Sequence, residues 1–79
     1  MATKAYILIE TAVGKSRDVA SGLRKLSDVE TVDPVTGPYD IIAVVNAPDL
    51  NAVGDMVTSE IHTIGGILRT VTCLSMSSA

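Results

Sequence analysis

The segment Tyr39–Ala47, YDIIAVVNA, places branched aliphatic side chains at consecutive positions, Ile41 with Ile42 and Val44 with Val45. Successive side chains of a strand point to opposite faces, so a strand here is apolar on both. A chain of 79 residues holds one small core and one layer of helices. Something else must cover the second face. The flanking segments repeat the problem. In Ala5–Thr11, Tyr6 and Leu8 oppose Ile7 and Ile9. Near the end, Ile67, Val71 and Cys73 alternate with Leu68, Thr70, Thr72 and Leu74. A sheet wet on one face alternates apolar with polar residues, and this one does not. The simplest cover is the same face of a second copy across a two-fold axis. The pattern therefore predicts a homodimer built by stacking sheets.

Composition agrees. Charged residues make up 19% of the chain, against about 25% in ordinary soluble domains. The single cysteine, Cys73, excludes an intrachain disulfide and a cysteine-rich zinc site. The net charge is −3, the six basic residues are scattered, and Phe and Trp are absent. That pattern argues against a nucleic-acid surface, whether a basic patch or a stacking platform. The uncharged run Ile41–Pro48 falls far short of the roughly 20 residues of a membrane span. The N-terminus runs directly into a strand pattern that Glu10 interrupts, unlike a signal peptide. The expected location is the cytoplasm, where a lone thiol stays reduced.

Six elements can be read. Ala5–Thr11 is a strand. Residues 16–26 form a helix, with Ser16 as N-cap and Val19, Leu23 and Leu26 as its apolar stripe. Gly22 costs this helix roughly 1 kcal/mol against alanine. Val29–Thr36 is a second strand, placed at an edge or bulged by Pro34. Gly37-Pro38 turns the chain into the third strand, Tyr39–Ala47, which pairs antiparallel with the second. Asp49 caps a second helix, whose stripe is Leu50, Val53, Val57, Ile61 and Ile64. Gly65-Gly66 stops it, and Ile67–Met76 is the last strand. A frayed end is expected in the tail Ser75–Ala79. The order βαββαβ predicts an α+β, ferredoxin-like domain: a four-stranded antiparallel sheet with two helices on one face. That fold fixes no function by itself.

Most catalytic arrangements are missing. Gly14-Lys15-Ser16 has the ending of a phosphate-binding loop, but the required earlier glycine falls on Ile9. There is no G-x-S-x-G, and Asp28 with Glu30 looks like a solvated face. His62 reads as a surface or interface histidine. Cys73 reads as a small apolar strand residue. Two features remain. In Thr36-Gly37-Pro38-Tyr39-Asp40, Gly37 suits a positive φ. Asp40 either closes the turn, as Asp often does, or accepts from a ligand ammonium. In Arg69-Thr70-Val71-Thr72, the two threonines share a face, as strand formers or as ligand contacts.

At these residues the chain resembles the effector-binding (RAM) domain of the Lrp/AsnC, or feast/famine, transcription regulators. The match runs through Gly14–Val35 and the hallmark turn Gly37-Pro38-Tyr39-Asp40 with Ile41–Val45. It continues through Ala47-Pro48-Asp49-Leu50 and Ile61–Ile67 to Arg69–Thr72, covering residues 4–76. One departure is Gly65-Gly66, where the family has proline–glycine. The resemblance implies the βαββαβ fold and dimers with sheets packed face to face. It also implies rings of dimers, often four, that bind an amino acid in clefts between dimers. It assigns Gly37, Pro38, Tyr39 and Asp40 to the effector's amino and carboxylate groups. Leu50 and His62 become positions that modulate the response, and Thr70, Thr72 and Cys73 lie on the segment lining the cleft.

Residues 1–79 are expected to form one such domain, without the helix-turn-helix domain of full-length members and so without direct DNA binding. No cofactor or metal is expected. The implied function is a non-catalytic, amino-acid-binding oligomerisation module that modulates transcription, with full-length relatives as candidate partners. One alternative is an assembly protein whose ligand site has decayed. The other is a small dimeric α+β barrel enzyme, for which a committed His, Asp or Trp constellation is missing.

Overall fold

The computed structural model describes residues 2–76; the expected fraying at 77–79 lies outside them. The order is β1 (Thr3–Thr11), α1 (Ser16–Arg24), β2 (Val29–Pro34), β3 (Ile41–Ala47), α2 (Leu50–Met56), a π-helical turn (Val57–Ile61) and β4 (Ile67–Leu74). The four strands form one sheet in the order β2-β3-β1-β4, each neighbouring pair antiparallel. This is the ferredoxin-like arrangement expected from the pattern. Pro34 ends an edge strand, where its missing N–H costs no ladder bond.

On one face the helices seal β1 and β3. Ala5, Ile7 and Ile9 of β1 and Ile41, Ala43 and Val45 of β3 have no exposed surface. Val19, Ala20 and Leu23 of α1 pack on them, together with Val53, Met56, Val57 and Ile61. Gly22 is explained by this packing. A Cβ there would lie 3.3 Å from Ile64 Cγ2, so glycine lets the segment after α2 approach α1. Gly66, at φ +102°, is tighter still. Its Cβ would meet the Lys15 Cβ at 2.9 Å.

Several expectations need correction. Ser16 does not cap α1. Lys15 occupies that position without a side-chain bond, and the Ser16 hydroxyl bonds Thr11 Oγ1 at 2.8 Å instead. The helix ends at Arg24 rather than Leu26. β2 ends at Pro34 and β3 starts at Ile41, because residues 35–40 form a closed loop tied by the Val35 N–H to Asp40 C=O bond (2.9 Å). Asp49 does cap α2, accepting from the Ala52 N–H at 2.8 Å. Leu50, however, is 57% exposed, because it sits at the first turn before the helix reaches the core. Beyond Met56 the helix widens. The His62 N–H reaches back five residues to Val57 C=O; Met56 and Val57, three and four residues after Val53, both lie on the core.

A bulge also changes which face Ile67 serves. Glu10 pairs with Arg69, but Thr11 pairs with Ile67, so Leu68 is the extra residue. Ile67 therefore packs on the core, rather than sharing a face with Val71 and Cys73.

Candidate functional site

The turn between β2 and β3 is held to the end of β1. The Asp40 N–H donates to Ile9 C=O at 2.9 Å. The Asp40 carboxylate accepts from the Thr11 N–H at 2.8 Å, next to the bulge. Asp40 thus bonds a backbone group the bulge would otherwise leave unpaired, which realises the turn-closing role. Gly37 has φ +127°, as the turn requires. Gly37 and Pro38 are exposed, while Tyr39 and Asp40 are half-buried. The Arg69 guanidinium lies 5.7 Å from the Tyr39 ring centre, a cation–π contact, and pairs with Glu10 at 3.5 Å.

The second group lies along β4. Thr70 and Thr72 pair with Ile9 and Ile7, which puts both on the helix side of the sheet. No helix covers them fully: Thr70 is half-buried and Thr72 exposed. The wide turn after α2 delivers His62 to this edge, where its Nε2 meets Thr70 Oγ1 at 3.0 Å. Leu50 stands at the opposite end of the same helical segment. Cys73 lies on the other side of the sheet, exposed, beside Tyr6.

The nine expected residues therefore fall into separate groups within one protomer. The turn 37–40 is tied to the end of β1 and reaches β4 through the Tyr39–Arg69 contact, His62 with Thr70 and Thr72 lines the β4 edge, and Leu50 and Cys73 stand apart. Sequence reasoning missed Thr11 and Ser16, which back the turn through the Asp40 carboxylate and a hydroxyl pair. The only signal was Thr11 ending an apolar alternation. Among the described residues, no group of His, Cys, Asp or Glu could hold a metal ion, and no helix is long and apolar enough to cross a membrane.

The open face of the sheet completes the picture. Its centre is two cross-strand rows, Val44–Tyr6–Cys73 and Ile42–Leu8–Val71. Polar pairs close both ends. Lys4 stands opposite Asn46, whose amide donates to Glu30, and Glu10 stands opposite Arg69.

Fold and site together define a small ferredoxin-like α+β module. Its polar groups sit on a turn and a strand edge, around an uncovered apolar sheet. The family model for the Lrp/AsnC ligand binding domain matches residues 4–79. The chain belongs to that family, which is one of transcription regulators and not of enzymes. An uncharacterised HTH-type transcriptional regulator of Pyrococcus abyssi is 33% identical over 73 residues, covering 92% of this chain and 46% of the relative. The chain thus spans about half the length of the curated relatives it matches. The crystal structure of TTHA0845 from Thermus thermophilus superposes with a TM-score of 0.90 at 31% identity, covering 98% of this chain and 96% of that one. The complex of a Neisseria meningitidis transcriptional regulator with L-methionine shares the fold. Its TM-score is 0.86 at 20% identity, over 96% of this chain and 51% of that one.

Proposed function

We propose that this chain is an amino-acid-responsive module that dimerises through its open sheet face and assembles further into a ring, such as an octamer. The observation that carries the assembly is the pair of apolar rows closed at each end by polar residues. An apolar centre with a polar rim is the anatomy of a protein interface. Two copies stacked on it would cover Tyr6, Leu8, Ile42, Val44, Val71 and Cys73.

The effector reading is supported by family membership and by the methionine complex of the Neisseria relative. The effector lies between dimers, as the family resemblance implies, so binding is coupled to assembly. In this reading Asp40 has two tasks. One oxygen accepts from Thr11, and the carboxylate's further acceptor capacity receives the effector's ammonium. Thr70 or Thr72 accommodates the carboxylate, with His62 orienting the Thr70 hydroxyl. Charge-assisted bonds of this kind contribute about 1.5–3 kcal/mol each. The module works in the cytoplasm and modulates transcription by pairing with itself or with full-length regulators.

Light scattering coupled to size exclusion tests this, with and without a panel of amino acids. The expected result is a mass above the dimer that shifts with a few of them. A constant mass and melting temperature across the panel would favour an assembly protein whose ligand site has decayed.

A further inference from the structure

The groove between α1 and the end of β2 belongs to neither polar group above. Its volume is about 380 Å³, and Ser16, Arg17, Ala20, Arg24 and Pro34 line it. Small-molecule sites begin at roughly 300 Å³. The chain carries six basic residues and a net charge of −3, yet two of the six meet here. No carboxylate is in the lining. Asp33 pairs with Ile42 and faces the open side of the sheet, away from the groove.

The two arginines are differently held. Arg24 Nη2 donates to the Val32 carbonyl at 3.3 Å, which steadies its guanidinium beside β2 and leaves its other donors for a ligand. Arg17 has no ion pair or hydrogen bond among the described residues. Seven positions apart on α1, the two share a helix face and stand about 10 Å apart along its axis. Between them the floor is Ala20, buried and too small to fill the space. Pro34 forms an apolar wall that carries no N–H.

We propose that this groove binds a small organic dicarboxylate, one carboxylate on each arginine and the apolar chain over Ala20 and Pro34. The site is separate from the amino-acid reading and does not depend on it. An α-amino acid is poorly suited here, because its ammonium would meet two guanidinium groups and no carboxylate.

Amide NMR titration of the intact chain with adipate, against hexanoate of the same carbon count, tests the proposal. Saturable shifts are expected along Ser16–Arg24 and at Val32. Adipate should bind about tenfold more tightly than hexanoate, since only it can engage both forks. Arg17→Gln and Arg24→Gln, exposed changes that leave the core intact, should each remove most of that preference. Arg17→Lys should restore part of it, as charge without the planar fork. Equal binding of the two acids overturns the proposal. So does unchanged adipate binding in Arg17→Gln, or no shift in the groove amides because another copy covers them.

Discussion

The two faces of the sheet are built from alternate residues of the same strands, and their sequences are almost equally apolar. Ile7 and Leu8 are chain neighbours of equal size and similar hydropathy. Ile7 has no exposed surface, while Leu8 keeps part of its surface open. The difference is supply. Two short helices in this chain cover one face of β1–β3, reach β4 only in part, and leave nothing for the other face. Apolar character therefore encodes a demand for cover, and only the fold says which demand the chain meets by itself.

Neighbouring substitutions test this most severely. Ile7→Glu puts a carboxylate among Val19, Leu23 and the other sealed residues. Burying it costs more than the roughly 5 kcal/mol that holds a domain this small. No folded protein is expected by circular dichroism. Leu8→Glu places the same group on the open face. A folded chain is expected, with its mass reduced to that of a monomer at micromolar concentration. If Leu8→Glu leaves the mass of the wild type unchanged, the two faces differ in exposure but not in role.

The covered face was legible in the sequence because its signals are local and periodic. Val19 and Leu23 on α1 and Val53, Val57 and Ile61 beyond it fall where helical spacing puts them. The demand for a second cover was legible too. The misreadings came from events that spacing cannot register. Leu68 is inserted opposite no partner, which turns Ile67 to the core. Ser16 looks like a cap by residue type, but its hydroxyl is drawn to Thr11 by a contact across the fold. The candidate site residues came only from likeness to a family. Nothing in Gly37–Asp40 or Arg69–Thr72 says that the turn folds over the end of β1 to meet Arg69 of β4, since that follows from strand order.

A smaller effect is expected at the junction where both faces end. Asp40→Ala removes the acceptor for the Thr11 N–H beside the bulge. A hydrogen bond to a charged acceptor, with the partner left unsatisfied, is worth about 1–3 kcal/mol. Urea unfolding should register that loss. Asp40→Asn should recover part of it, because the amide oxygen still accepts. In the proposed reading Asp40→Asn also loses the response to amino acids, since a neutral amide attracts an ammonium weakly. A variant that regains stability and keeps the full response would confine Asp40 to the turn.

The smallest effect concerns the rim of the open face, and it depends on whether that face is covered. Glu10 and Arg69 are 41% and 62% exposed at the side chain, with 3.5 Å between them. An exposed pair of this kind contributes about 0.2–0.5 kcal/mol, and salt screens it. A double-mutant cycle with Glu10→Gln and Arg69→Gln in the Leu8→Glu background should return that small coupling. In the assembled protein the same pair would border a stacked sheet, where less water screens it. The coupling should then rise and become less sensitive to salt. Equal coupling in both backgrounds would mean that the rim stays wet. The apolar rows of Tyr6 and Leu8 would then have to find their cover in a partner smaller than a second sheet.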